Sequence, residues 1–356
     1  MTKDSNWLYA NVSFDAVKLL DEVAVHGKRL PGVYHSVFDV KEFMFCKRID
    51  LFCVAEPGKR LLFIDTGNPL LTGTAALDQA VSRFEVPWED ATVLLTHFHE
   101  DHDGNVPYCL NRGVRDFYAG PLQPYDSDRK KKYLRLLGAE DLHSDDLDYQ
   151  LDLAMAHKPS ALSTEEYRLT CQGQELLPMG DYLFEVVPTP GHTREHICLL
   201  ERSEKLLFAG DHIVDAPPGI MQFDVGQNLV VRYIENLRML RNFNLEAVFM
   251  SHHEPLYGAS VIHPFIEMII GRYESALTAT FEMVKNAGHA LSARQAAEIR
   301  ASKYKGGLAG FPASIQARRI AMMFANLEGL CDIGRFVRSY DDAGHVLYGP
   351  KRHNQF

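Results

Sequence analysis

Thr96-His97-Phe98-His99-Glu100-Asp101-His102-Asp103-Gly104 sets three histidines and an aspartate within six residues, directly after the apolar run Thr92–Thr96. That run predicts a buried strand, so the polar cluster falls in the loop where the strand stops. Imidazole and carboxylate are good donors to zinc, and imidazole also suits iron. His97 and His99 stand two apart, and an extended backbone aims both the same way. Asp101 and His102 are adjacent, so their side chains are expected to diverge and to serve a second metal a few ångströms away. Gly104 is expected to let the backbone turn away beneath the metals. A lone histidine is more often a satisfied surface or core residue than a ligand; four candidates at this spacing after a strand make ligation the better reading.

Working outward, the same arrangement recurs. Val33–Val40 and Ile49–Ala55 are β-rich, and Arg60–Ile64 is a compact apolar strand that ends at Asp65-Thr66-Gly67. A helix is predicted at about Thr74–Phe84. Leu183–Val187 leads into Pro188-Thr189-Pro190-Gly191-His192. Ile197–Glu201 and Leu206–Ala209 read as a hairpin, the second leading into Gly210-Asp211-His212. A helix is predicted from about Leu229 to Arg241, and the short strand Ala247–Met250 ends at Ser251-His252-His253. Strands whose following loops carry His and Asp predict a layered α/β protein with its site at the carboxyl ends of the strands.

Two stretches differ. Residues 121–170 are rich in charge and helix formers, with the basic run Arg129-Lys130-Lys131-Lys132 and the acidic pair Asp145-Asp146. They read as a helical insertion over the domain, with the charge runs on a solvated face. Tyr125, Tyr133 and Tyr149 could face a ligand there or pack in the core. Beyond residue 258 helices are predicted at about Pro264–Asn286, Ser292–Ala301 and Ala313–Leu327, with Pro264 in a first turn and Ser292 as an N-cap. Ile333–Tyr340 and His345–Tyr348 follow as a hairpin. Three helices and a hairpin suggest a winged-helix-like tail, dividing the chain into 1–258 and 259–356.

The 356 residues, 46% hydrophobic, suffice for a large domain and a smaller second one. A net charge of −10 argues against wholesale nucleic-acid wrapping. Residues 259–356 nevertheless hold 12 Lys+Arg against 8 Asp+Glu, a mildly basic tail. The six cysteines show no CxxC spacing, which reads as reduced, buried thiols and not as a disulfide frame. No membrane-spanning run and no secretory signal pattern is seen, so a cytoplasmic protein is expected.

The His97–His102 run resembles the HxHxDH motif of the metallo-β-lactamase superfamily. In order along the chain, Phe63-Ile64-Asp65-Thr66-Gly67, Pro190-Gly191-His192-Thr193, Ala209-Gly210-Asp211-His212 and Met250-Ser251-His252-His253-Glu254-Pro255 resemble its remaining segments. The resemblance implies a four-layer αββα sandwich. It implies His97, His99 and His192 on a first metal; Asp101, His102 and His252 on a second; and Asp211 bridging. Asp65 would orient a ligand histidine. His252 and His253 compete for the last ligand position, and alignment to Glu254-Pro255 favours His252. His196, His212 and His253 are candidates for the substrate cleft. The family shows two glycines where this chain has Gly104-Asn105.

The implied cofactors are two divalent ions, zinc first, with iron or manganese as alternatives. The implied reaction is attack of a metal-bridging hydroxide on a carbonyl, with Asp101 orienting it and accepting its proton. The Pro-Gly-His and Gly-Asp-His segments with an adjacent helical tail look most like the glyoxalase II and LACTB-like group, so a small-molecule thioester or related ester is the expected substrate. Alternatives are a metal-dependent endoribonuclease or phosphodiesterase, suggested by the basic winged-helix-like tail, and a mononuclear iron persulfide dioxygenase. Nucleic acid is the less favoured partner. The tail could instead be a homodimer contact, and a non-catalytic scaffold is disfavoured by the intact ligand set.

Overall fold

The computed structural model describes residues 12–41, 47–121, 128–145, 147–148, 151, 168–169, 176–215 and 219–351. The first sheet has seven strands in sequential order: β1 (Ser13–Val25), β2 (Lys28–Lys41), β3 (Arg48–Glu56), β4 (Arg60–Ile64), β5 (Ala91–Leu94), β6 (Asp116–Ala119) and β7 (Arg168–Leu169). The second sheet has six, ordered β13 (Leu256–Tyr257), β12 (Ala247–Phe249), β11 (Leu206–Phe208), β10 (Ile197–Glu201), β9 (Tyr182–Pro188) and β8 (Leu176–Met179).

Apolar side chains fill the space between the sheets. Phe52, Val54, Leu62, Ile64 and Leu94 from the first sheet meet Phe184, Val186, Leu199, Phe208 and Phe249 from the second. The rings of Phe52, Phe208 and Phe249 lie 4.8–5.4 Å apart, in the range favoured by aromatic pairs. The outer face of the first sheet is covered by helices Ala75–Phe84 and Val106–Arg112, through Leu77, Ala80, Phe84, Val106 and Cys109. The outer face of the second is covered by helix Leu229–Arg241 and the C-terminal helices, which share one core with it. Helix, sheet, sheet, helix is the expected four-layer sandwich.

Strand direction positions the site. β4, β5 and β6 are parallel, so their carboxyl ends share an edge. In the second sheet β11 and β12 are parallel and β9 runs the same way, both β9 and β11 being antiparallel to β10. The two edges are joined where Ile197 N donates to Thr96 O (2.9 Å) and Asp50 N to Ser251 O (2.8 Å).

The C-terminal region has three helices, Ala259–Ala287, Ala293–Ala301 and Ala313–Asp332, and the hairpin β14 (Phe336–Tyr340) with β15 (Val346–Pro350). Ser292 is an N-cap with a full capping box to Gln295. Pro264 is not in a first turn as expected: the helix begins at Ala259, and the proline sits inside it. The turn before it closes on Gly258 O, which accepts from Val261 and Ile262 N.

Within the insertion, helix Arg129–Leu137 buries Tyr133, Leu134 and Leu137 in the core shared with the C-terminal helices, so Tyr133 is a packing residue. Tyr125 and Tyr149 lie outside the described residues. The basic run is solvated only in part. Arg129 is buried, with its guanidinium 5.1 Å from the Phe223 ring, whereas Lys131 and Lys132 are exposed. The four described cysteines are free, and three are buried. Among the described residues no helix is long and apolar enough to cross a membrane.

Candidate metal centre

The loops leaving β4, β5, β9, β11 and β12 converge. Their histidines and aspartates form two groups, His97, His99, His192 and Asp211, and Asp101, His102 and His252; within each group the ligand atoms lie within 4.8 Å of one another. Both groups contain only residues named from the sequence.

In the first group His97 Nε2 is 2.9 Å and His192 Nε2 3.0 Å from His99 Nδ1. One ring nitrogen cannot serve two such neighbours as donor and acceptor at once. Three nitrogens this close suit lone pairs sharing a cation at about 2.0–2.1 Å from each. His192 donates from Nδ1 to Gly219 O (2.7 Å), which turns Nε2 inward. Burial pushes the His99 pKa down to about 3 and holds His97 and His192 below their ordinary value, so these rings are neutral ligands at physiological pH.

The second group is dominated by charge. His252 Nε2 is 3.2 Å from Asp101 Oδ2 and 3.3 Å from Asp211 Oδ1. His102 Nε2 is 3.5 Å from Asp211 Oδ1 and 3.8 Å from Asp101 Oδ2. Asp101 and His102 were expected to diverge. They converge at their tips, because the backbone turns into the short helix Glu100–Asp103 immediately after the strand. Burial pushes against ionisation of both histidines, but Asp65 at His102 and Asp211 at His252 outweigh it and hold their pKa values high. For the carboxylates burial again acts first and upward, yet His102 holds Asp101 low and His252 holds Asp211 low. A divalent cation would take the place of those histidine protons.

The donor set fits metal on a further observation. His102 Nε2 and Asp211 Oδ1 are buried with no hydrogen-bond partner. Such atoms are costly unless something fills the space between them. Asp211 presents Oδ1 to the second group and Oδ2, 3.7 Å from His192 Nε2, to the first.

Asp65 sits at φ +61, a conformation that aspartate tolerates better than most residues. Its Oδ2 accepts from His102 Nδ1 and Thr96 Oγ1 (both 2.8 Å), and its Oδ1 from Thr96 N (2.7 Å). Gly104 is needed for space rather than for conformation: its φ is an ordinary −59, and a Cβ there would come within 2.4 Å of Glu100 O. Asn105, in place of a second glycine, braces the loop by donating from Nδ2 to Thr66 O and Gly73 O. Gly210 does need its freedom, at φ +50 with the Thr96 side chain 2.7 Å from where a Cβ would stand.

The three cleft candidates fall in different places. His196 and His212 are 1% and 0% exposed. His196 accepts from Asp211 N and stacks 5.2 Å from the His97 ring, and His212 packs on Tyr233. His253 is half-buried, 5.8 Å from the Phe265 ring, and holds Glu254 O through Nδ1. His252, not His253, joins the metal-facing groups. Sequence gave no sign of the main-chain oxygens that aim the ligands, Gly219 O for His192 and Arg48 O for His252. A carbonyl has no side-chain signature.

A two-sheet sandwich with this cluster at its edge defines an αββα protein whose loops carry two groups of residues able to hold a metal ion. Residues 53–252 match the Metallo-beta-lactamase superfamily, and the chain belongs to that family. It is 26% identical over 163 residues to a hydroxyacylglutathione hydrolase of Klebsiella pneumoniae subsp. pneumoniae, covering 45% of each chain. It is 22% identical over 195 residues to an atrochrysone carboxyl ACP thioesterase of Aspergillus fumigatus, covering 55% of this chain and 35% of that one. The chain spans about half the length of the curated relatives it matches, or less. The crystal structure of a beta-lactamase domain protein from Burkholderia ambifaria shares the fold over 97% of this chain and 99% of that one, with a TM-score of 0.65 at 20% identity.

Proposed function

We propose that this protein is a metal-dependent hydrolase of thioesters or related esters, using two divalent cations, zinc first. The observation that carries the reading is the pair of donor groups meeting at Asp211, with His102 Nε2 and Asp211 Oδ1 buried and without a hydrogen-bond partner, in contact only with the groups of the cluster. His97, His99 and His192 would hold one ion, Asp101, His102 and His252 the other, and Asp211 both. The catalytic unit is residues 1–258, which contain every metal-facing residue, and 259–356 form a C-terminal unit packed on it.

When bound, such ions make water a competent nucleophile near neutral pH and draw charge from a carbonyl oxygen. The chain's own residues do the rest. Asp101 is among the more open of the metal-facing side chains, at 21% exposure, and its carboxylate would orient the attacking water and accept its proton at Oδ. Asp65 fixes the His102 tautomer, so Nε2 faces the metal. Thr96 locks Asp65 in turn. The buried rings of His97 and His192 keep bulk water from the first group's inner side. The thioester preference is supported by the two relatives above, one named a thioesterase and the other a hydrolase of an acylglutathione.

The test is a panel of acyl thioesters, lactones, phosphodiesters and a persulfide, assayed with metal-replete protein alongside elemental analysis. Thioester turnover that chelation abolishes is the expected result. Turnover of phosphodiesters alone, or oxygen uptake with the persulfide alone, would overturn the ester reading. Fewer than about one ion per chain under replete conditions would overturn the two-metal centre.

A further inference from the structure

Outside the metal centre the described residues contain a second buried carboxylate with dense polar contacts. Glu328, on helix Ala313–Asp332, has a side chain with 0% exposure. Its Oε1 accepts from Arg338 Nε (2.8 Å) and Tyr348 Oη (2.7 Å). Its Oε2 accepts from Arg338 Nη2 (2.8 Å), Gly226 N (2.6 Å) and Gln222 Nε2 (3.4 Å). A carboxylate offers about four lone-pair sites, so this one is saturated.

Its donors come from two places. Arg338 and Tyr348 belong to the C-terminal hairpin β14–β15. Gly226 and Gln222 belong to the segment 219–228, which ends where helix Leu229–Arg241 begins. That segment also grips a metal-facing histidine: Gly219 O accepts from His192 Nδ1 (2.7 Å), and Met221 N donates to His192 O (2.9 Å). Gln222 is itself 1% exposed, and its Oε1 accepts from Leu229 N (3.4 Å). One short stretch of chain is therefore held at one end by His192 and at the other by Glu328.

We propose that Glu328 is a positioning residue for the first metal, acting through segment 219–228 on the ring of His192, so that a carboxylate on helix Ala313–Asp332 sets metal affinity in the catalytic unit. Packing alone does not require a charge here; an apolar side chain would fill the volume without a desolvation cost. The carboxylate instead fixes Gly226 N and Gln222 Nε2 in one geometry, and with them the distance from Gly219 O to the histidine. Partners beyond the ligands commonly set metal affinity by 10–100-fold. A partner acting through a segment of chain is expected at the low end, about 10-fold.

The inference rests on the metal-centre reading but not on the choice of substrate. The experiment is cobalt(II) titration of the full chain, followed by its visible absorption, with unfolding by heat measured on the same samples. Three variants separate the two sides of the joint. Glu328→Gln disturbs both sides, and Gln222→Met only the side facing His192. Tyr348→Phe removes one hydrogen bond on the hairpin side alone. The expected result is about 10-fold weaker binding at one of two cobalt sites in Glu328→Gln and Gln222→Met, with an altered spectrum, while Tyr348→Phe binds as wild type and only melts earlier. Equal cobalt affinity in the wild type and every folded variant would overturn the inference, leaving Glu328 a staple of the C-terminal fold. Should Glu328→Gln fail to fold, Gln222→Met decides alone. Wild-type protein that takes up no cobalt sinks the metal centre itself, and this inference with it.

Discussion

Asp211 and Glu328 are both buried carboxylates, and they are treated in opposite ways. Glu328 receives five donor contacts and leaves no lone pair idle. Asp211 keeps a buried Oδ1 with no hydrogen-bond partner, only the ring nitrogens of His252 and His102 standing 3.3 and 3.5 Å away. Burial of a charge is tolerated only when something compensates it. At Glu328 the compensation is built into the chain. At Asp211 it comes from the imidazoles of His102 and His252, whose protons a divalent cation would replace. The contrast separates a structural joint from a binding site without reference to any relative.

The comparison breaks first at Asp211. Asp211→Asn removes charge from both metal-facing groups while keeping shape. Activity is expected to fall about 10³-fold, roughly 4 kcal/mol of transition-state stabilisation, with metal content falling below two ions per chain. Elemental analysis beside the rate assay checks both, and full metal content with unchanged turnover would remove Asp211 from the centre. The hairpin side of Glu328's joint should instead show itself in stability. Arg338→Leu strips the bidentate partner from a fully buried carboxylate, an expected cost of about 3 kcal/mol in urea unfolding. A loss under 1 kcal/mol would mean that the remaining donors suffice.

Asp65→Asn sharpens the same contrast inside the centre. Asparagine tolerates the φ +61 backbone, so the substitution tests hydrogen bonding and not strain. The amide cannot serve His102 Nδ1 and Thr96 as the carboxylate does, and metal affinity at the Asp101–His102–His252 group should drop about 10–100-fold. A competition titration against a chelator of known affinity reads it, with unchanged affinity counting against the orienting role.

Much of this was legible in the sequence, and the gaps have physical causes. The metal-facing residues stand in loops directly after apolar strands, and such strands announce themselves. The convergence of Asp101 and His102 could not be read, because it depends on the backbone turning helical at Glu100. Strand β1 was missed because it is a poor advertisement for a strand. Most of its side chains are at least partly exposed, its pairing with β2 shifts register three times, and Leu20 lies at φ +54. Alternation, the usual sign of a strand, is erased by those shifts. Glu328 looked like any charged residue on a helix. Its partners at 222, 226, 338 and 348 are brought together only by tertiary packing, and one of them is a backbone amide. Arg129 was hidden likewise, its burial on Phe223 being set by a segment about ninety residues away.

The smallest expected effect lies where burial is least. His345, on the loop between β14 and β15, hydrogen-bonds Asp341 (2.9 Å) and Glu140 (3.2 Å), tying the hairpin to the insertion. Burial is the largest single influence and pushes its pKa down, but the hydrogen bonds to Asp341 and Glu140 and the charges of both carboxylates together outweigh it and hold the pKa above the ordinary 6.5. A histidine whose folded pKa is raised contributes stability that is complete below its unfolded pKa. That stability is lost as pH rises through the folded value. The gap in melting temperature between wild type and His345→Gln should therefore be widest below the ordinary histidine pKa and close as pH rises through the raised folded value, shrinking further with salt. A gap independent of pH would assign the contact to packing and confine the charge argument to the buried carboxylates.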